Sequence, residues 1–229
     1  MKLIYTFTKR LNESNLDGYV KLWKDSYHNN KQYHNIKLFT DYETVDLFSD
    51  TFDDIEIIHK DSVTFLDDFK VEALSRIEDG DVLIDGDVYL SEKLNIPNAE
   101  ICCDRIFKCE GKFYNYYKEI TQALIHDGVQ TVVEDYKFQK QIPNIGLLSF
   151  RNSKQKYRFI NQYGKLKWFY NNRKFPFIKT HGLKKTSAAV TQTLLGSYNV
   201  EEFYPKNNYE HLSGDRPSKF RKKNTKEIL

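Results

Sequence analysis

Four short runs of consecutive apolar residues lie within the first ninety positions and alternate with stretches whose apolar residues recur at helical spacing. No other feature restricts the fold of this chain so strongly. "LIYTFT" (3–8), "IKLFTD" (36–41), "IEIIHK" (55–60) and "VLI" (82–84) read as strands. Between the first two, Leu16, Val20, Trp23 and Tyr27 recur at helical spacing and form a helix that Asn12 or Asn15 can cap. Val45 and Phe48 mark a short second helix; Phe69, Ala73, Leu74 and Ile77 form a third stripe, which Gly80 closes. A βαβαβαβ order with unbroken apolar strands predicts a parallel sheet covered by helices on both faces, a Rossmann-like half.

After residue 90 the rhythm changes. "AEICCDRIF" (99–107) reads as a strand, 113–125 as a tyrosine-rich helix, "VQTVVEDY" (129–136) as a strand and "IGLLSF" (145–150) as a short buried strand. Helices are expected around 154–163 and 184–197, and a basic loop and tail from 213. The fold class expected is α/β, one domain over 1–229, with a parallel N-terminal half (1–90) and a mixed-sheet second half (91–212). With 40% hydrophobic and 15% aromatic residues the chain can fill one such core. Nothing in it approaches the apolar run of ~18 residues that a membrane span requires. Cys102, Cys103 and Cys109 are odd in number and two are adjacent, which suits neither a disulfide framework nor a zinc site, so a reducing, cytoplasmic setting is expected. Charge is divided unevenly: residues 1–100 hold 11 Lys and Arg against 21 Asp and Glu, and residues 101–229 hold 24 against 11. An acidic half suits a cation and a basic half suits phosphate or nucleic acid, although either charge also serves simply to solvate a face.

Asp85 and Asp87 stand at the exit of the fourth strand, separated by Gly86. In an extended chain residues two apart project on one side, so the two carboxylates can reach one point while Gly86 lets a ligand approach the backbone. Open parallel sheets bind ligands beyond the carboxyl ends of their strands. Two hard oxygen donors there suit Mg²⁺ or Mn²⁺ that also holds substrate phosphates. Asp-Gly is equally ordinary turn chemistry.

The succession "YTFTK", "LWKDSYHNN", "IKLFTD" and "FKVEALSRI" through "DVLIDGDVYL" resembles the nucleotide-sugar half of GT-A-fold glycosyltransferases, most of all family 8 and related small, often viral or bacterial, enzymes. The resemblance implies a GT-A-like domain with a nucleotide-binding half at 1–90, a sugar and acceptor half at 91–212, and a tail at 213–229. It implies that Asp85 and Asp87 form a DxD motif holding Mn²⁺ or Mg²⁺ against a nucleotide diphosphate. "AEICCDR" resembles the segment that supplies a sugar-binding aspartate, here Asp104, and "PNIGLLSF" resembles the stretch bordering the sugar, with Asn144 as its asparagine. "YEHLSGDRPSK" resembles a late element whose histidine, His211, completes the metal site, whose Gly214 lets the loop fold over the diphosphate, and whose Lys219 meets phosphate. Gln192 occupies the position of an acceptor-side glutamine, preceded by Thr191 where family members often carry an acid.

Further contacts follow from position. Thr6 and Thr8 alternate with Tyr5 and Phe7, so one pair can face the core and the other the donor crevice; Tyr5 either stacks on a base or packs in the core. Lys70 and Arg76 lie on the helix before the DxD strand, either near the nucleotide or on an exposed face, and Arg216 joins Lys219 in the tail. Asp104 can orient sugar hydroxyls or pair with Arg105. Trp168, Phe169 and Tyr170 can line an acceptor groove or fill a core. The expected activity is transfer of a sugar from a nucleotide-diphospho-sugar donor to a hydroxyl on a glycan, protein or nucleic acid. No residue stands out as a catalytic base, which favours retention of configuration. A nucleotidyltransferase would need a glycine-rich element well upstream of the acidic pair, and a calcium loop would need more oxygen ligands after Asp87. The alternatives are a nucleic-acid-binding or virion-associated protein that uses the basic half, and a transferase fold that has lost catalysis.

Overall fold

A computed structural model of the chain describes residues 1–9, 15–58, 65, 67–108, 110–172, 183–203 and 209–211, without the side chains of 112–114, 183–187, 210 and 211. Strand β1 (Lys2–Phe7) is buried on both faces, which is why its apolar residues run without a break. Leu3, Tyr5 and Phe7 belong to a cluster with Leu22, Trp23 and Tyr27 of helix α1 (Leu16–Asn30); Ile4 belongs to the opposite cluster, with Phe69, Ala73 and Leu74 of helix α2 (Asp68–Leu74). The two-residue period of the strand thus feeds two cores, one on each side of the sheet.

Strands β2 (Asn35–Thr40), β3 (Ile55–Ile57) and β4 (Val82–Ile84) join β1 in parallel, in the spatial order β3-β2-β1-β4. This is the parallel half that the alternating pattern predicts. Beyond it come a short β5 (Val88–Leu90), β6 (Ile101–Lys108), helix α3 (Gly111–His126), β7 (Gln141–Phe150), helix α4 (Ser153–Asn172), helix α5 (Leu183–Leu195), β8 (Glu201–Glu202) and β9 (Tyr209–His211). β7 is antiparallel to both β4 and β6, and β8 is parallel to β6, so the sheet reads β3-β2-β1-β4-β7-β6-β8 and is mixed. β5 and β9 form a separate antiparallel ribbon, Val88 opposite His211 and Leu90 opposite Tyr209. The fold is thus a mixed α/β domain with a seven-stranded sheet.

The second half differs from expectation in several places, the unexpected strands β8 and β9 among them. Residues 129–136 form a 3₁₀ turn (Val129–Thr131) and further turns, not a strand. Val129, Val133 and Tyr136 are buried at spacings of four and three, a helical period that β-branched residues disguise. β7 is longer than the apolar run 145–150 because it continues through Gln141–Asn144 to pair with β6. α4 extends past 163 to Asn172, since Leu166, Phe169 and Tyr170 prolong its buried stripe. Cys102 and Cys103 are free, buried thiols on β6. Among the described residues no helix is long and apolar enough to cross a membrane.

Candidate active site

The chain leaves β4 through Asp85, Gly86 and Asp87 in a turn closed by the Val88 N–H donating to the Asp85 carbonyl at 3.1 Å. The segment is therefore not the extended one that simple alternation expects to set both carboxylates on one side. It is a turn, but a buried one. The Asp87 residue is 0% exposed and the Asp85 side chain 14%. β4 lies where the parallel half meets the antiparallel half, and the turn leaves from its carboxyl end, the place where open α/β sheets receive ligands.

One wall of the turn is α1. Trp23 lies so close to Gly86 that a Cβ there would stand 1.9 Å from Trp23 Cδ2, whereas the Gly86 backbone needs no positive φ. The glycine is thus required for space on the side a Cβ would take, and the group that fills that space is the Trp23 indole. The indole is fixed in turn by its Nε1–H donating to the Thr6 carbonyl at 3.1 Å and by an edge contact with Phe7. Farther along α1, Ser26 Oγ and Asn30 Nδ2 donate to the Val88 carbonyl at 2.7 and 2.9 Å, and the Leu90 N–H donates to Asn30 Oδ1 at 2.8 Å. Tyr5 belongs to this same network: its hydroxyl accepts from Asn30 Nδ2 at 2.7 Å and meets Ser26 Oγ at 2.8 Å, while its ring is 0% exposed against Phe52. Burial accordingly pushes the Tyr5 phenol far above its usual range. Of the two expectations for Tyr5, packing in the core is the one that its placement meets. Thr6 is half-buried and Thr8 buried at the same end of β1.

The opposite wall is charged. Lys70 Nζ on α2 lies 2.6 Å from Asp85 Oδ1 and donates to the Ile145 carbonyl at 3.3 Å. Asp67, at the N-cap of α2, is buried, and its Oδ2 has no hydrogen-bond partner among the described residues. Burial pushes its carboxyl up to about 6, against the pull of Lys70 and of a hydrogen bond to Thr191 and with a push from Asp85. Asp68 next to it accepts from Tyr163 and Lys167 at 2.9 Å each, which ties α2 to α4. Arg76, by contrast, faces outward and pairs with Glu56 and Glu72.

β7 supplies the floor. The Asp85 N–H donates to the Gly146 carbonyl at 2.8 Å, and the Gly146 N–H donates to Asn144 Oδ1 at 2.8 Å. Asn144 thus shapes the strand where it receives Asp85, acting through its side chain, while Ile145 and Gly146 serve the corner through their backbone carbonyls. Asp104 is buried on β6 at a bulge and pairs with Arg105 Nε at 3.3 Å; the Tyr209 hydroxyl donates to its carbonyl at 2.6 Å, joining β9 to β6. Gln192 Oε1 accepts from the Tyr117 hydroxyl, an α3–α5 contact, whereas its neighbour Thr191 reaches the corner through Asp67. The register sets the His211 backbone opposite Val88, next after Asp87; its side chain, Gly214, Arg216 and Lys219 lie outside the described residues. Phe169 and Tyr170 fill the core, and Trp168 is 61% exposed.

Sequence reasoning found Asp85, Asp87 and Lys70 but missed Trp23, Ser26, Asn30 and Asp67. Only Asp67 carried a signal, as an acid just before the Lys70 helix. Among the described residues no three His, Cys, Asp or Glu side chains converge closely enough to hold an ion unaided. The donor set of the turn fits a hard cation that takes one or two carboxylates and completes its shell from substrate phosphates.

Fold and site together define a mixed α/β domain with a buried acidic turn at the seam of its sheet. No family model and no curated protein matches the sequence. Solved structures resemble it in overall shape. Mouse xyloside xylosyltransferase 1 is 12% identical, over 86% of this chain and 82% of that one, with a TM-score of 0.45. The glycosyltransferase GlyE of Streptococcus pneumoniae is 14% identical, over 89% of this chain and 45% of that one, at 0.49. The CTP:phosphocholine cytidylyltransferase LicC of Streptococcus pneumoniae is 11% identical, over 98% of each chain, also at 0.49. Likenesses this distant carry no residue role or reaction across.

Proposed function

We propose that this chain is a metal-dependent glycosyltransferase that moves a sugar from a nucleotide-diphospho-sugar donor to a hydroxyl acceptor. One observation supports the reading above the rest: the buried turn at the carboxyl end of β4 carries two carboxylates and already draws a cation, the Lys70 ammonium, to 2.6 Å from Asp85. Asp85 and Asp87, with His211 from β9, are the proposed ligands for Mn²⁺ or Mg²⁺. Such an ion offsets the charge that grows on a departing diphosphate. Asp104 is the proposed partner of the sugar hydroxyls, and Lys70, Gly214 and Lys219 are the proposed neighbours of the diphosphate. β6 and β7 run on past the end of β4, and a depression lined by Lys108, Phe138, Gln139 and Lys140 opens at their far end. An acceptor is proposed to approach from that side. With no side-chain base assigned, the proposed outcome is retention. A nucleotidyltransferase is disfavoured because the segment after β1, Lys9 to Ser14, contains no glycine to cradle a triphosphate.

The test is a thermal-shift and hydrolysis screen of nucleotide sugars with and without Mn²⁺. At least one nucleotide is expected to stabilise the wild-type chain only when Mn²⁺ is present, and Asp87→Ala is expected to lose that response. If no nucleotide gives Mn²⁺-dependent stabilisation, the proposed function fails.

A further inference from the structure

Lys70 and Asp85 form a tight pair in a place where both side chains are largely withdrawn from water, 15% and 14% exposed. Asp85 is also the carboxylate that a divalent ion is proposed to use. The same carboxylate oxygen cannot serve both cations well: a single and a double positive charge at contact distance repel strongly even at an intermediate effective dielectric. One of them has to yield, and the lysine is the one on a flexible four-carbon stem.

We infer that Lys70 is an exchangeable counter-ion: it neutralises Asp85 while no divalent ion is bound, is displaced when Mg²⁺ or Mn²⁺ arrives, and is thereby released to meet the phosphate of the donor. The inference rests on the metal reading of the same turn. Three features of the corner suit such an exchange. Lys70 also donates to a neutral acceptor, the Ile145 carbonyl at 3.3 Å, a contact long enough to be given up at little cost. Asp67, one helical turn earlier, is a buried carboxyl that feels both the Lys70 and the Asp85 charge, so an ammonium leaving Asp85 still has a negative neighbour. And α2 itself is held by Asp68 through Tyr163 and Lys167 of α4, so rotation about the lysine stem suffices and the helix stays in place. A donor binds to a corner in which the ion and the freed ammonium both carry positive charge, which couples the affinities for metal and diphosphate.

The deciding measurement uses the wild-type chain and Mg²⁺ alone. Lysines are acylated with an amine-reactive ester, and the Lys70 peptide is followed by mass spectrometry. Labelling of Lys70 is expected to rise severalfold as Mg²⁺ saturates, with other lysines unchanged, and this rise is expected to be absent in Asp87→Ala. In parallel, Mn²⁺ binding is read from the loss of its free-ion spin-resonance signal, and Lys70→Met is expected to bind Mn²⁺ about tenfold more tightly than wild type because a competing charge has gone. If Mn²⁺ binds but Lys70 labelling does not change, the exchange is overturned and the metal reading stands. A folded Lys70→Met with equal or weaker Mn²⁺ affinity overturns it likewise. No Mn²⁺ binding by wild type overturns the metal reading and the exchange together. Should Lys70→Met fail to fold, the labelling of wild type still decides.

Discussion

The turn at residues 85–87 is gripped by two walls of opposite construction. On the α1 side the contacts that seat the turn join neutral groups: the Trp23 ring on Gly86, and the Ser26, Asn30 and Tyr5 hydroxyls and amide that hold Val88 and Leu90. On the α2 side the contacts are charged: Lys70 on Asp85, with Asp67 coupled to both. The neutral wall fixes a shape whose energy does not depend on ions or protons. The charged wall can be changed by either. The proposed cation site would gain from this division, because the strand after the turn would stay seated while the side chains that meet the ion rearrange.

Breaking the neutral wall is expected to have the largest effect. Asn30→Leu removes a donor from Tyr5, Ser26 and Val88 and the acceptor of the Leu90 N–H. With each buried group left short of a partner costing about 1–3 kcal/mol, the loss comes to about 4 kcal/mol, a large part of the roughly 5–15 kcal/mol that holds a domain together. Urea unfolding with and without Mg²⁺ measures it. The expected loss is the same in both conditions; a loss that Mg²⁺ restores would show that the wall is not independent of the ion.

The two walls also differ in how far the sequence shows them. β1 and β4 are legible because strands buried on both faces are apolar at nearly every position; β2 and β3 show through although Lys37 and Glu56 stand at partly exposed positions within them, and Asp85 stands out as the first charge after Val82–Ile84. Trp23 reads correctly as part of the buried stripe of α1, and Gly86 reads as a glycine that admits a ligand to the backbone. That the two meet each other is a product of how α1 crosses the sheet, which no local pattern encodes. The pairing of β9 with β5 is equally invisible, since three-residue strands carry too little periodicity to register. Residues 129–136 mislead in the other direction, because valine-rich turns share the composition of strands. On the charged wall, Lys70 is legible as a basic residue beside the acidic strand exit, but Asp67 reads as one more helix-capping acid until its burial is known.

The charged wall predicts a gain of stability with the opposite dependence. Burial pushes the Asp67 carboxyl up to about 6, so the folded chain holds this proton more tightly than the unfolded chain does. The penalty is therefore absent near pH 4, grows as pH rises through 6, and levels off at about 3 kcal/mol near neutrality. Asp67→Asn keeps the shape and removes the ionisation. It is expected to match wild type at pH 4 and to exceed it by about 3 kcal/mol at pH 7.5, read from thermal unfolding at the two pH values. A variant less stable than wild type at pH 7.5 would mean that Lys70 and Thr191 compensate the carboxylate fully, and the charged wall would then be as settled as the neutral one.

Gly86→Ala tests whether the neutral wall governs the turn by shape alone. The added methyl carbon would stand 1.9 Å from the Trp23 ring, and that ring is tethered through Nε1 to Thr6, so one of the two has to shift. Overpacking of this kind costs about 1–3 kcal/mol. Emission can follow the displacement: the chain has two tryptophans, and Trp168 is largely exposed, so Trp168→Phe leaves Trp23 as the sole reporter. In that background Gly86→Ala is expected to move the Trp23 emission toward longer wavelength, lower the unfolding midpoint modestly, and weaken Mn²⁺ binding although no charge has changed. Unchanged emission and Mn²⁺ affinity would mean that the turn, not the wall, sets the position of Asp85 and Asp87. The division of labour between α1 and α2 would then reduce to the charged side alone.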